Sequence, residues 1–438
     1  MQTNLAFQAK KIEFPIIHSN TKKVYEYWRI RILYSIVIEY AAFYLVRQNF
    51  SMAIPHMISE YHYTKSDIGW IISWGALIYG VGKGICGFIT DHVSARFFMS
   101  IGLMLSAVVS FSIGLSSGLT SLLILVCLNN CFQSTGAAPC IRLLAHWFSP
   151  KELATKWSIW NASQQIGGAL VLILSGFFLK EYGWRYVFFI PGVISLLAAF
   201  LLINRLRDTP ESLDLPSIEH YHGLKTHHST SEENSFSKGS VLKQVLTNKL
   251  VWYMALANFF VYFVRMSVFN WGPTFLKECK GSSLLMAGWQ TATFDVAGII
   301  GGILAGYLSD KVFKGYRGRV GTIYMGLLTF CILLLWKSPA ESTFFHFIGM
   351  ACIGFLVVGP QILVGVAAAD FASKRAAAAA NGLTGIVGYI GTAATGLGIG
   401  KLVDSFGWDM AFLAMLIAAG LSALFFILTW NHRAKSLN

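Results

Sequence analysis

The sequence predicts an all-α membrane protein whose twelve spans fall into two six-span halves. Three observations carry this. Hydrophobic residues make up 55% of the chain and charged residues only 13%, with a mean hydropathy of +0.57, well beyond a soluble domain. Apolar stretches of about 20 residues, the length that crosses a bilayer as a helix, recur along the chain. Several short motifs also occur twice, at spacings of 218 to 224 residues in a chain of 438.

In order, the spans are expected at 32–55, 68–90, 97–115, 121–148, 154–179, 185–206, 250–276, 287–310, 319–336, 343–371, 376–404 and 410–430. The first runs to Pro55 and the seventh to Pro273 and beyond, while Pro139, Pro191 and Pro360 kink or end the fourth, sixth and tenth. The eighth, with Gly298, Gly301, Gly302 and Gly306, and the eleventh, from Gly382 to Gly400, place small residues at helical spacing, which lets backbones approach closely. The longest polar interruption holds Pro210, Pro216 and a His/Ser/Thr tract from Thr226 to Ser231, and reads as a linker. The expected organisation is therefore an N-terminal segment 1–31, a six-helix bundle 32–206, a linker 207–249, a second six-helix bundle 250–430 and a tail 431–438.

The repeats support two homologous halves. Gly87-Phe88-Ile89-Thr90-Asp91 with Arg96 is echoed by Gly306-Tyr307-Leu308-Ser309-Asp310 with Lys311, Arg317 and Arg319. Gly183-Trp184 before the sixth span is echoed by Gly407-Trp408 before the twelfth. Tyr44-x-Val46-Arg47 in the first span is echoed by Tyr262-x-Val264-Arg265 in the seventh.

Basic residues set the orientation, since short loops rich in Lys and Arg stay cytoplasmic. Segments on the side of the termini hold 23 of the 34 Lys and Arg, the opposite loops seven, and Arg47, Lys83, Arg142 and Arg265 lie within predicted spans. Both termini are thus expected in the cytoplasm, and the net charge of +13 is a topological signal that gives no reason to expect a nucleic-acid partner. The first 30 or so residues include Lys10, Lys11, Lys22 and Lys23 and show no cleavable signal peptide. None of the seven cysteines sits in a CxxC or a Cys/His ligand spacing, and no Gly-x-x-x-x-Gly-Lys-Ser/Thr loop occurs. Neither a metal, a cofactor nor an enzymatic activity is expected.

Arg47 and Arg265 are the principal functional candidates. Arginine near the middle of a span costs about 2.5 to 3.5 kcal/mol even on the lenient insertion scale. One guanidinium per half, brought to a central cavity near the bilayer midplane, makes a two-armed anion site. Its planar fork of donors matches phosphate oxygens and stays charged at any working pH.

A six-plus-six arrangement with Gly-x-x-x-Asp and basic residues after spans two and eight resembles the major facilitator superfamily. A narrower resemblance covers nearly the whole chain. The strings YLVRQNFSMAIP, IYGVGKGICGFITDHVSARFF, RDTPESLDLPSIEHY, NKLVWYMALANFFVYFVR, NWGPTFLKE, LSDKVFKGYRG and GPQILVGVAAAD look like the organophosphate:phosphate antiporters, which include glycerol-3-phosphate and hexose-phosphate transporters. The resemblance implies a carrier in a bacterial cytoplasmic membrane, monomeric, that exchanges a phosphorylated metabolite for inorganic phosphate, with Arg47 and Arg265 as phosphate ligands. It also points to Lys83, Tyr40, Tyr44, Tyr79, Tyr262 and Tyr389 as lining residues, and to Asp91, Arg96, Asp310, Arg317 and Arg319 as charges that latch helix ends in one conformation. Packing, snorkelling and topology are the competing readings of these residues. Some proteins resembling this family are sensors of external sugar phosphate that signal to a kinase partner, and proton-coupled symport is a further alternative.

The departures from the family pattern are informative. Gln48 stands where the glycerol-3-phosphate carriers have Lys, Asn270 where they have Asp, Gln164 where the family has His, and Ala137 where it has Trp. Two of these amides, Gln48 and Asn270, are positioned to hydrogen-bond where an ion pair otherwise would, and Ala137 leaves room for a larger sugar phosphate. Two acids lie within spans: Asp295, for which pairing with arginine is expected, and Glu39, where the family usually has a small residue.

Overall fold

A computed structural model describes residues 19–221, 238–372 and 376–433; Lys10, Lys11 and the tract from Thr226 to Ser231 lie outside the described residues. The helices are α1 (Ser19–Leu45), α2 (Asn49–Tyr61), α3 (Lys65–Thr90), α4 (Ala95–Leu115), α5 (Leu119–Gln133), α6 (Ala137–Trp147), α7 (Pro150–Glu181) and α8 (Tyr186–Arg205) in the first half. The linker carries the short α9 (Ile218–Tyr221) and α10 (Lys238–Thr247). The second half holds α11 (Lys249–Lys280), α12 (Leu284–Tyr307), α13 (Arg317–Lys337), α14 (Thr343–Phe371), α15 (Ala377–Phe406) and α16 (Trp408–Ile427).

Among the described residues, eleven helical stretches are long and apolar enough to cross a membrane. The expected first span is broken instead into α1 and α2 by a turn at 46–48, and the expected fourth into α5 and α6 at 134–136. The first break does not follow from a proline, since Pro55 lies well inside α2, whereas the second falls one turn before Pro139, which has no N–H for Thr135 O and crowds that carbonyl, as expected for the fourth span. In contrast, the seventh and tenth spans run unbroken as α11 and α14, despite Pro273 and Pro360.

The internal repeat extends to side-chain contacts. The Trp184 indole donates to Glu60 Oε2 at 2.5 Å, and the Trp408 indole to Glu278 Oε2 at 2.9 Å. Glu60 and Glu278 are 218 residues apart, the same offset as Arg47 and Arg265. Each tryptophan follows a glycine at positive φ, Gly183 at 93° and Gly407 at 80°, a backbone that side chains disfavour.

The halves meet along two antiparallel crossings, α3 with α15 and α7 with α12. On the side opposite the termini they are sealed. There Gly69 and Gly396 lie backbone to backbone, and Ser73 Oγ donates to Ala393 O at 2.6 Å while accepting from Leu397 N–H at 2.8 Å. At the start of α3, Asp404 accepts from the Lys65 N–H at 3.2 Å and from the Ser66 N–H at 2.6 Å, and Lys65 Nζ pairs with Glu278 at 3.2 Å. The remaining free N–H groups of this helix end are taken by its own capping box, Thr64 N–H to Asp67 at 2.9 Å and Asp67 N–H to Thr64 Oγ at 3.0 Å.

Toward the termini the crossing opens. The contacts Gly69–Gly396, Ser73–Ala393 and Gly80–Tyr389 define a register that, continued along both helices, places Gly84 and Gly87 opposite Gly385 and Gly382. Nothing lies within 4 Å of where a Cβ would stand at any of these four glycines. The structure is therefore a two-bundle body with a cleft open on the side of the termini. Asp404→Ala removes the acceptor that ties the two halves across the sealed side. It is expected to speed labelling, by an impermeant maleimide from that side, of a cysteine placed at Ser73 by several fold, as measured by gel-shift kinetics.

Candidate functional site

Arg47 lies in the turn between α1 and α2, at the depth where the crossing changes from sealed to open. Its guanidinium sits over the Tyr79 ring at 4.0 Å from the centroid and 5.6 Å from that of Tyr44. Cation–π contacts of this kind stabilise a desolvated cation without neutralising it. Arg265 occupies the matching position in α11, is only 3% exposed, and its Nε has no partner among the described residues. Neither arginine forms an ion pair with a carboxylate among the described residues.

Tyrosines connect the halves around these cations. Tyr79 of α3 and Tyr389 of α15 have ring centroids 5.2 Å apart, and Tyr389 and Tyr262 of α11 are 5.8 Å apart. Tyr40 packs edge-on to Tyr44 at 5.6 Å and against Trp160 at 4.7 Å. Lys83 is exposed, one turn nearer the opening, with its ammonium 5.6 Å from the Tyr389 ring. The Tyr44 hydroxyl donates to Gln164 Oε1 at 2.9 Å, so the amide at the family's histidine position holds a phenol in place. A cavity of about 70 Å³ is lined by Arg47, Asn49 and Phe50 from one half and Met266, Phe269 and Asn270 from the other.

The expected hydrogen bond between the amides of Gln48 and Asn270 does not form. Gln48 Nε2 instead donates to Asp295 Oδ2 at 3.1 Å, while Asn270 faces the cavity beside Arg47. Room for this bond comes from Gly168 of α7: a Cβ there would collide with Gln48 Oε1 and come within 2.9 Å of Asp295 Oδ2. Asp295 forms no ion pair among the described residues, and Arg265 acts on it only through space. Glu39 is wholly buried within the first bundle and accepts from the Cys140 thiol at 2.9 Å.

The charged loops divide differently in the two halves. Arg317 reaches Asp310 at 3.2 Å and Asp370 at 2.5 Å, the latter an acid that sequence reasoning did not single out. Arg319 stacks on Tyr316 at 4.0 Å and donates to Trp430 O. The Arg96 guanidinium donates to Ile203 O and its backbone N–H to the Asp208 carboxylate, and neither to Asp91, which ends α3; the carbonyls of Thr90 and Val93 beside it are held by Arg142. Sequence reasoning also missed Asn129, Gln133 and Gln361. Gln361 donates to the Tyr262 hydroxyl at 3.1 Å, and its place as an amide immediately after Pro360 within an apolar span was the available signal.

Two six-span bundles around a cationic, tyrosine-walled cleft that is open to one side define a membrane carrier. The chain belongs to the Major Facilitator Superfamily, whose profile matches residues 36–396, and within it to the organophosphate:phosphate antiporter family. It is 39% identical over 428 residues to a probable hexose phosphate transport protein of Chlamydia pneumoniae, covering 95% of this chain and 94% of that protein. It is 38% identical to the glycerol-3-phosphate transporter of Bacillus subtilis (94% and 95% covered) and 35% identical to the membrane sensor protein UhpC of Escherichia coli (91% and 92%). Among solved structures, a bacterial homologue of the human lysosomal transporter Spinster superposes with a TM-score of 0.71 at 17% identity, over 92% of this chain and 95% of that one.

Asp295→Leu strands the buried Gln48 amide without an acceptor, a cost of about 1–3 kcal/mol. The expected result is a lower Tm in detergent, partly recovered in the Gln48→Leu/Asp295→Leu double variant, where neither polar group remains.

Proposed function

We propose that this chain exchanges a hexose phosphate for inorganic phosphate across a bacterial cytoplasmic membrane, by alternating access, with both termini in the cytoplasm. The observation that carries the reading is the pair of arginines, one per half at matching positions, left without a carboxylate partner among the described residues, with Arg47 lining a cavity shared by the two halves. Two unneutralised cations in a low-dielectric cavity demand an anion, and a phosphate or phosphomonoester near charge −2 meets both with oxygens that only accept. Tyr44, Tyr79, Tyr262 and Tyr389 supply neutral donors and ring faces around it. Lys83, exposed toward the opening, adds positive potential along the entry path. The hexose assignment follows the name borne by the Chlamydia pneumoniae relative, and Ala137 in place of the family's tryptophan favours the larger guest.

Charge balance accounts for exchange instead of leak. Closing an empty cleft buries two positive charges, whereas closing a loaded one buries a compensated pair. Only the anion-loaded carrier reorients fast, so one phosphate group leaves as another enters. Asp310 with Arg317, and Arg142 on the carbonyls that flank Asp91, serve in this cycle as the groups that form and break helix-end contacts on the cytoplasmic side.

The likeness to a membrane sensor protein favours one second reading, in which the same anion site reports external sugar phosphate to a kinase partner without turnover. Liposomes loaded with phosphate separate the two: purified carrier exchanges labelled phosphate rapidly, a sensor binds without flux. A competition panel of hexose, triose and glycerol phosphates in that assay is expected to rank hexose phosphate first. Arg47→Lys and Arg265→Lys each replace a fork by a point charge and are expected to lower exchange by at least about tenfold, the loss of about 1.5–3 kcal/mol of charged hydrogen bonding. Equal efflux with and without external substrate, or unaltered exchange in both variants, overturns the proposal.

A further inference from the structure

The turn that carries Arg47 has no glycine or proline to cause it. Its backbone shows how it is held instead. In a continuous helix the Arg47 N–H would bond Phe43 O and the Phe50 N–H would bond Val46 O. Here the Arg47 N–H turns instead to Tyr44 O at 3.3 Å, which also keeps its ordinary helical bond from the Gln48 N–H at 3.1 Å. Two side-chain amides of α5 take the vacated acceptors: Gln133 Nε2 donates to Phe43 O at 3.0 Å, and Asn129 Nδ2 to Val46 O at 2.8 Å. Ser106 of α4 ties them together, donating to Asn129 Oδ1 at 2.5 Å and accepting from Gln133 Nε2 at 2.8 Å. All three residues are buried. The break between α5 and α6 faces this turn, with the Phe43 ring seated where a side chain at Gly136 would stand.

The second half supplies an internal control. Asn129 and Gln133 lie ten and six residues before Pro139; the positions ten and six before Pro360, in the corresponding helix α14, are Met350 and Gly354. Neither bears an amide. There α11 passes Arg265 as an unbroken helix, although its Tyr-x-Val-Arg sequence matches that of the first half. The same local sequence is therefore bent where amides meet it and straight where they do not.

We propose that Asn129 and Gln133, ordered by Ser106, are positioning residues that create the turn at 46–48 and thereby set the height and direction of the Arg47 guanidinium in the anion site. The inference rests on the phosphate reading of that site. Asn129 borders the cavity, but both ends of its amide are engaged inside the bundle, so in this proposal it acts through Arg47. Removing either amide returns a carbonyl to the helix, rotates the chain after Leu45, and moves the guanidinium off the cleft.

The test uses the purified full chain and inorganic phosphate as probe, with Kd read from phosphate-dependent stabilisation in detergent and KM from phosphate exchange in liposomes. Asn129→Leu and Gln133→Leu are expected to raise Kd and KM together, on the order of 10–100-fold, as a displaced binding group does, with the maximal exchange rate within a factor of a few. In an Arg47→Lys background the same changes are expected to add little, since the group they position is already gone. Should both leucine variants fail to fold, Ser106→Ala keeps the amides but loosens their order, and a several-fold rise in Kd is expected. An unchanged Kd alongside a lowered Tm, or a full multiplicative effect on top of Arg47→Lys, overturns the positioning role. Absence of any phosphate stabilisation in the wild-type chain overturns the phosphate reading itself.

Discussion

Two guanidiniums without carboxylates, Arg265 buried and Arg47 half-buried, are the constraint around which this molecule is arranged. In most buried settings an arginine finds an acid, as Arg317 does between Asp310 and Asp370. Arg47 is given aromatic rings instead, Arg265 keeps an unpartnered Nε among the described residues, and the buried acid Asp295 is occupied by the Gln48 amide. Rings lower the cost of a desolvated cation while leaving its hydrogen-bond donors unspent. The fold therefore holds an unmet electrostatic demand at the level where its two bundles part.

The bundles are built to keep that level movable. Small residues let α3 and α15 touch backbone to backbone on the sealed side, and the few bonds across the crossing are made by hydroxyls and carboxylates that can exchange partners with water. Gln48 with Asp295 adds one buried tie next to the site, a neutral donor on an acid in place of an ion pair. Such a tie is cheaper to break than a buried salt bridge, which would leave two uncompensated charges on parting. The asymmetry between the broken first span and the straight seventh gives the two arginines different backbones under the same side chain.

Much of this was legible in the sequence, for definite reasons. Long apolar stretches and the duplicated Arg47/Arg265, Asp91/Asp310 and Trp184/Trp408 patterns are local signals, and they mark the spans and the two-fold repeat directly. The break at 134–136 was signalled by Pro139 one turn on, but the break at 46–48 was not legible, because no residue within it dictates it; it is held by amides some 80 to 90 positions away along the chain. The partner of Gln48 was misassigned for a similar reason. Asn270 matched by family position, but the choice of Asp295 depends on the absence of a side chain at Gly168 on a third helix. Arg142 and Asp370 show the same limit: each lies within an otherwise apolar stretch whose pattern says nothing of which loop it will clasp.

The start of α3 has its orphan donors shared between two sources. Its own Thr64 and Asp67 satisfy one pair, and Asp404 of the opposite bundle the other. A helix end capped wholly from across the interface would fray each time the bundles separated, and a helix end capped wholly from within would give the interface nothing to hold. Dividing the work lets the contact be surrendered on every cycle while the first turn stays wound, so that the energy of opening is spent on wetting two N–H groups and one carboxylate rather than on unravelling the helix.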